Sequence, residues 1–365
     1  MLRNVFGISM RRLQTLASAL LLMAMVGFLS ACAAAQPGAS ALTEDRSETQ
    51  TQSQTSKLKV VATTTIVGDV VKQIGGDLIE LTVLMQPGVD PHSFAFTPQH
   101  VVKVGEADLV FMNGVELEAF MDDLLTNAAT KAELVSVSQD VKLLRVAEEH
   151  DHDAEHEDEH EADHEHEADH EHEHEGETHN EGDGHAHQHG EFDPHVWWNV
   201  ANVQAWSDTI AQALAKADPA NAEQYNEQAA RYKAELSALD SWIKERVAEL
   251  PASERKLVTD HDAFGYLADT YGFELVGTVL PNVNTLSEPS AQELAKLHDT
   301  IQEQQIRAIF VGSTVNPALA QRIADDTGIK VITTYTDSLG KPDSDAATYI
   351  DFMRSTINTI VDGLR

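Results

Sequence analysis

At 365 residues the chain has room for two domains. Its 25 basic residues stand against 60 acidic ones, a formal net charge of −35, which excludes nucleic acid and anionic surfaces as partners and favours cations. A single cysteine, Cys32, excludes both an intramolecular disulfide and a thiolate metal site in the folded region.

Arg3, Arg11 and Arg12 precede an apolar run from Leu16 to Leu29, too short and one-sided for a membrane span. The run ends in Leu29-Ser30-Ala31-Cys32, which resembles a bacterial lipobox, where the signal is cleaved before a cysteine that then carries lipid. Residues 1–31 are therefore expected to be a lipoprotein signal peptide, and Cys32 the lipidation site. The Ala-, Ser-, Thr- and Gln-rich residues 32–56 read as a flexible stalk. The protein is expected outside the cytoplasm, lipid-anchored to the cell membrane, on its outer face or in a periplasm.

Leu58 to Thr65 is a β-branched run, followed by helical periodicity from Ile66 to a Gly75-Gly76 stop. Leu78 to Met85 is a second strand, leading into Pro87-Gly88-Val89-Asp90-Pro91-His92. A helix from Pro98, a strand at Asp108 to Met112, a helix near Leu117 to Leu125 and a strand at Glu133 to Val137 complete an alternating pattern. Apolar strands alternating with helices predict a doubly wound parallel sheet covered on both faces.

The composition then changes abruptly. Glu148 to Glu191 hold thirteen of the eighteen histidines and twenty of the sixty acids, with no Lys or Arg. Without this tract 25 basic and 40 acidic residues remain, so the rest is still acidic. With no apolar side chain larger than Ala, the tract is expected to be a disordered loop. Imidazole and carboxylate at this density predict weak, multiple capture of divalent cations. The accessory positions are His150, His152, His156, His160, His164, His166, His170, His172, His174, His179, His185, His187 and His189.

Ordinary composition returns at Asp193-Pro194-His195-Val196-Trp197-Trp198, and Val200 to Lys216 is helical. Asp218-Pro219 reads as an N-cap with Pro at the first helical position. Apolar residues then recur at threes and fours from Tyr225 to Leu250, up to Pro251. A helix of this length spans roughly 45 Å at 1.5 Å per residue, more than one sheet needs. The strand–helix pattern repeats beyond it, with strands at Lys256 to Thr259, Glu274 to Val279, Arg307 to Val311 and Lys330 to Thr334. Helices are expected near Asp262, Pro289 and Pro317 and from Asp345 to Leu364. The expected architecture is α/β, with two doubly wound parallel-sheet lobes on one linker helix. The N-terminal lobe covers 57–217 with the loop 148–191 inside it, the linker helix 218–251 and the C-terminal lobe 252–365.

Ligands of open parallel sheets bind outside the carboxyl ends of the strands. His92, His261 and Asp337 all follow strands, and His195 closes the acidic loop. Asp-Pro-His occurs twice, at 90–92 and 193–195, and each proline presents its histidine from stiff backbone. His100 and His298, inside predicted helices, read as surface residues, and Trp197 and Trp198 as packing near the lobe boundary, one of them shielding a metal.

These segments resemble the zinc and manganese solute-binding lipoproteins of bacterial ABC transporters, the cluster that includes the ZnuA, TroA and PsaA types. The matching stretches include Ala62 to Asp69, Pro87 to His92, Ala107 to Val110, Asp193 to Trp197, His261 to Tyr266 and Glu288 to Ser290. The resemblance implies a metal between two lobes joined by a long helix, with His92, His195, His261 and Asp337 as ligands. It implies an ABC permease as partner, a monomeric receptor, and no catalytic activity. A His-rich loop before the second ligand is a habit of the zinc-type branch. The chain departs from the family pattern after His92, where Phe94, Ala95 and Phe96 stand in place of Tyr-Glu-Pro.

Three imidazoles and one carboxylate suit tetrahedral Zn²⁺, with Mn²⁺ second because it prefers more oxygen ligands. A manganese receptor of the same family is thus the alternative reading. A zinc hydrolase is the rival from another class, since HExxH occurs at His156 to His160, His160 to His164 and His166 to His170. In a His/Glu repeat that pattern arises by composition, and a protease needs it on a buried helix. A surface adhesin is the other rival, for which the sequence carries no receptor surface. Deleting Glu148 to Glu191 is expected to remove weak zinc equivalents while leaving one tight site, as calorimetry will read, because repetitive residues must order backbone for each ion they hold.

Overall fold

The computed structural model describes residues 57–146, 190–283 and 285–365. The expected signal peptide, Cys32, the stalk and the thirteen tract histidines lie outside the described residues.

In the N-terminal lobe, β1 (Leu58–Ala62), β2 (Ile79–Val83), β3 (Leu109–Met112) and β4 (Glu133–Ser136) form a parallel sheet in the order β2-β1-β3-β4. In the C-terminal lobe, β5 (Lys256–Thr259), β6 (Glu274–Thr278), β7 (Ala308–Gly312) and β8 (Lys330–Thr334) repeat it as β6-β5-β7-β8. Each sheet therefore reverses its winding beside its first strand, which opens a crevice at the carboxyl ends of the strands.

The helices start where the sequence offers caps. Helix α1 (Thr65–Gly75) is capped by Thr64, whose hydroxyl accepts from Val67 N–H at 3.2 Å. It ends at Gly76, whose φ of 52° is left-handed backbone that glycine adopts freely. Helices α2 (Pro98–Gly105) and α3 (Met121–Ala128) cover the other face of the first sheet, where Val61, Leu84, Val104, Val110, Met121 and Leu124 bury a small core. In the second lobe, α6 (Gly265–Tyr271), α7 (Ala291–Glu303), α8 (Ala318–Thr327) and α9 (Tyr349–Gly363) follow the strands in turn. Ser290 and Glu293 close a capping box on α7.

Helix α4 (Val200–Ala217) is followed by a 3₁₀ turn at Pro219–Asn221 and then by α5 (Ala222–Val247), 26 residues long and about 39 Å at 1.5 Å per residue. The expected helix start at Asp218 is thus displaced. Asp218 spends its carboxylate on Asn221 and Tyr225, and α5 begins behind that knot. The buried face of α5 is Tyr225, Ala229, Tyr232, Leu236, Leu239, Ile243 and Val247. It packs on α4 and α1 at one end and on α9 at the other. One continuous apolar cluster accordingly runs from Val60 and Val70 through α5 to Phe310 and Phe352.

Three other expected helix starts also move. Helix α3 begins at Met121 rather than near Leu117, because Gly114, Val115 and Glu116 take positive φ and the buried Glu118 carboxylate accepts from Asn113 and Gly114 N–H and from the Thr63 hydroxyl. Helix α6 begins at Gly265, since residues 261–264 are drawn into the crevice, and Asp262 N–H donates to Asn282 C=O. Helix α9 begins behind its cap Thr348, while Asp345 is held by Tyr335 and Ser355. Replacing fully buried Leu239 on α5 by Ala should lower stability by about 2–5 kcal/mol through transfer and cavity terms. Urea denaturation measures it, and a loss below about 1 kcal/mol would mean that α5 is not what joins the core.

Candidate metal centre

The four nominated residues converge. The ligand atoms of His92, His195, His261 and Asp337 all lie within 4.8 Å of one another. His92 comes from the loop after β2, His195 from the segment before α4, His261 from the end of β5 and Asp337 from the end of β8. His195, His261 and Asp337 are buried, and His92 is partly buried, the most accessible of the four. His100 and His298 sit apart on α2 and α7, where His100 accepts from Thr97 N–H in the cap of its helix.

Each histidine is held by an aspartate one or two residues before it. Asp90 and Asp193 accept the backbone N–H two residues on, from His92 and His195, both at 2.9 Å. This is the local turn that Asx residues favour, and proline between the pair stiffens it. Asp193 Oδ1 also faces His195 Nδ1 at 2.7 Å. Asp260 does the same for His261, meeting its N–H at 3.0 Å and its Nδ1 at 3.2 Å. A carboxylate on Nδ1 favours a proton there and turns Nε2 toward the centre, where it can bind a metal once the ring is neutral. Asp260 is itself anchored across the sheet, because Gly312 N–H donates to its Oδ2 at 2.9 Å. Asp193 and Asp260 were missed as orienting residues, although each stands within two residues of its histidine.

The rest of the surround is equally built. Trp197 stands edge-on to His195 with centroids 5.3 Å apart, and its indole N–H donates to Thr336 C=O. It is fully buried and closes one side of the site to water. Trp198 instead stacks between Phe264 and Phe352 in the core. Asn113 at the end of β3 donates to Pro194 C=O and so ties the second Asp-Pro-His turn to the first sheet.

Asp337 directs one oxygen to each purpose. Its Oδ2 accepts from the hydroxyls of Thr336 at 2.8 Å and Thr314 at 3.3 Å. Its Oδ1 has no hydrogen-bond partner, and neither has buried His261 Nε2. Oδ1 lies 3.6 Å from His195 Nε2 and 3.7 Å from His261 Nε2, too far for hydrogen bonds, so electrostatics alone acts between them. Leaving two buried polar atoms unpaired is costly. A dication among the four would pair both, and three imidazoles with one carboxylate supply the donor number that a tetrahedral ion takes.

Proton affinities follow from this crowding. Burial, and then the neighbouring His195 and His261, push His92 down to about 3, so the ring is neutral at any ordinary pH, with its Nε2 3.2 Å from His195 Nε2. For His261 burial acts downward, but the carboxylates of Asp337 and Asp260 outweigh it and raise the ring well above the usual histidine value. Asp337 is the mirror case, where burial acts upward but His261, His195 and His92 hold the carboxyl well below the usual range.

Comparison with known proteins supplies the relatives. The family described as Zinc-uptake complex component A periplasmic (ZnuA) matches residues 60–363. The manganese-binding lipoprotein MntA of Bacillus subtilis is 29% identical over 89% of this chain and 95% of its own. The periplasmic zinc binding protein TroA from Treponema pallidum superposes with a TM-score of 0.69 at 28% identity, covering 84% of this chain and 99% of its own. A Mn-bound periplasmic metal binding protein from Candidatus Liberibacter asiaticus gives a TM-score of 0.67 at 26% identity, covering 85% of this chain and 100% of its own.

A proton on His261 must leave before a metal can bind there, so metal affinity should fall as pH drops through its raised pKa, by about tenfold per pH unit. His92, already neutral, should add nothing to that slope above pH 4 or so. Calorimetry on tract-deleted protein in buffers of different ionisation enthalpy counts the protons released. An affinity flat between about pH 7.5 and 5.5 would remove His261 from the ligand set.

Proposed function

This chain belongs to the family of periplasmic zinc-uptake components, the metal-binding solute receptors of ABC transporters, and from that premise we propose that it captures one Zn²⁺ outside the cytoplasm and delivers it to a membrane permease. His92, His195, His261 and Asp337 would hold the ion between the lobes. The observation that carries the reading is the nitrogen-rich, closed donor set, in which His261 Nε2 and Asp337 Oδ1 are buried and otherwise unpaired. Three nitrogens and one oxygen at tetrahedral reach favour Zn²⁺ over Mn²⁺, both by ligand hardness and by the general affinity order. A catalytic zinc would keep one position open, whereas four side chains fill this one.

The receptor would act as a monomer tethered through a lipid on Cys32. The tract from Glu148 to Glu191 would serve as an accessory collector, concentrating cations beside the cleft by its dense negative charge.

Manganese is the second reading, and a specific observation favours it: the Bacillus relative is named for manganese and the Liberibacter structure holds it. Manganese is named more often among the compared relatives and zinc for the Treponema protein, so the zinc reading rests on the donor set of this chain. The two readings separate on one residue. His261→Glu exchanges a nitrogen for a harder oxygen and is expected to lower the Zn²⁺/Mn²⁺ preference by about tenfold or more, with the fold intact. Competition titrations measure the ratio. Metal analysis of protein purified without added metal, beside a tract-deleted version, tests the cargo directly; manganese at one equivalent and no zinc would establish the second reading.

A further inference from the structure

The most accessible ligand, His92, is held by an aspartate that also reaches the other lobe. Asp90 Oδ1 accepts His92 N–H at 2.9 Å. Its Oδ2 accepts the Ser93 hydroxyl at 2.9 Å and, 195 residues along the chain, the Thr285 hydroxyl at 2.5 Å. Thr285 belongs to the segment that follows β6, and this segment is stitched to the base of the third histidine. Leu280 N–H donates to Asp260 C=O at 2.7 Å, and Asp262 N–H donates to Asn282 C=O at 3.2 Å. Asp260 and Asp262 flank His261. The bonds form a ring from His92 through Asp90, Thr285 and residues 280–282 to His261, which a metal bound to both imidazoles would close from the inside.

Neither sheet supplies this connection, because it crosses from one lobe to the other. A second crossing lies deeper, where Gly88 N–H donates to the Ser338 hydroxyl at 2.8 Å and Leu339 N–H to the Thr65 hydroxyl at 2.9 Å. That pair is tied to Asp337 through its neighbour, and its Ser338 and Thr65 side chains are buried. The Asp90–Thr285 bond is only part-buried, lies on the side of the more exposed ligand, and joins two side chains rather than backbone. Unlike the Ser338–Thr65 crossing and the Trp197 and Tyr349 bonds between the lobes, it can open without unpacking core.

We propose that Thr285 is a positioning residue for metal retention, and that its hydrogen bond to Asp90 latches the lobes across the mouth of the metal centre. The inference rests on the functional reading above. Two bonds around one ring are coupled: whatever holds Asp90 to Thr285 also holds His92 against His261, so the metal and the latch stabilise each other reciprocally. The latch acts mainly on escape, since an ion can enter while the ring is open and is retained once it closes. His92 is the ligand it controls, because the same carboxylate sets that residue's backbone.

Thr285→Val keeps the side-chain shape and removes the hydroxyl, and Thr285→Ser keeps the hydroxyl. The full chain is loaded with one equivalent of Zn²⁺ and mixed in a stopped-flow instrument with an excess of fluorescent chelator. Ions on weak sites transfer first, and the slow phase reports the cleft. Thr285→Val is expected to speed the slow phase by roughly tenfold or more, the effect of losing a hydrogen bond to a carboxylate. Association should change by less than about twofold, since affinity differences between close variants reside mostly in dissociation. Thr285→Ser should retain the parental rate. A merely structural role would lower the melting temperature of the metal-free protein and leave the dissociation rate alone. A slow phase in Thr285→Val within about twofold of the parent, or a Thr285→Ser rate as fast as that of the valine variant, would overturn the latch while leaving the receptor reading intact. Absence of any slow zinc phase in the parent would instead overturn the receptor reading, and the latch with it.

Discussion

Asp337 Oδ1 faces two imidazole nitrogens at 3.6 and 3.7 Å, inside a shell where nothing else can pair with it. The lobes meet around a group of charges that are stable together only when a cation, proton or metal, stands among them. A proton on His261 is one such cation: the carboxylates of Asp337 and Asp260 raise that ring's affinity for it, while the imidazoles lower that of the Asp337 carboxyl. A dication held by the four side chains would do the same. The burial that makes the group costly without a partner is also what makes it tight with one, because a low dielectric strengthens every attraction inside it.

Holding such a cluster apart from its natural partner demands rigidity from outside, and the fold provides it in layers. Both sheets reverse their winding beside the first strand, so both crevices open at carboxyl ends of strands and face one space. Aspartates adjacent to the histidines turn the rings inward. Behind these, Gly312, Asn113 and Trp197 fix the aspartates and turns to strand ends. Helix α5 with its single apolar face then makes the two lobes one core. Asp69 on α1 adds to this by accepting Tyr349 N–H at the start of α9, a buried carboxylate capping a helix of the other lobe.

Much of this was legible beforehand, for physical reasons that differ from residue to residue. Parallel sheets announce themselves through apolar strands alternating with helices, and the α5 face through its spacing of threes and fours, because both patterns are set by local periodicity. His92, His261 and Asp337 were legible because a chain that places His and Asp just past strand ends must present them to a crevice, and His195 because its Asp-Pro-His triplet repeats that of His92. Helix starts were less legible. At Leu117, Asp262 and Asp345 the sequence continues a helical pattern, but a tertiary hydrogen bond or a strained turn claims the residue first. Intrinsic propensity amounts to tenths of a kcal/mol per residue and yields to such bonds.

By itself the sequence determined the α/β class, the duplicated lobes, the acidic character and which His and Asp side chains are offered at the crevice, since each depends on side-chain chemistry and short-range spacing. Only the tertiary structure decided which nitrogen of each ring faces inward, which oxygen of Asp337 is left free, and that Asp90 is shared between His92 and Thr285. Those choices depend on the relative placement of groups up to hundreds of residues apart, such as Thr65 and Leu339. No local pattern encodes them, because their energies exist only once both lobes have folded and packed on the same helix.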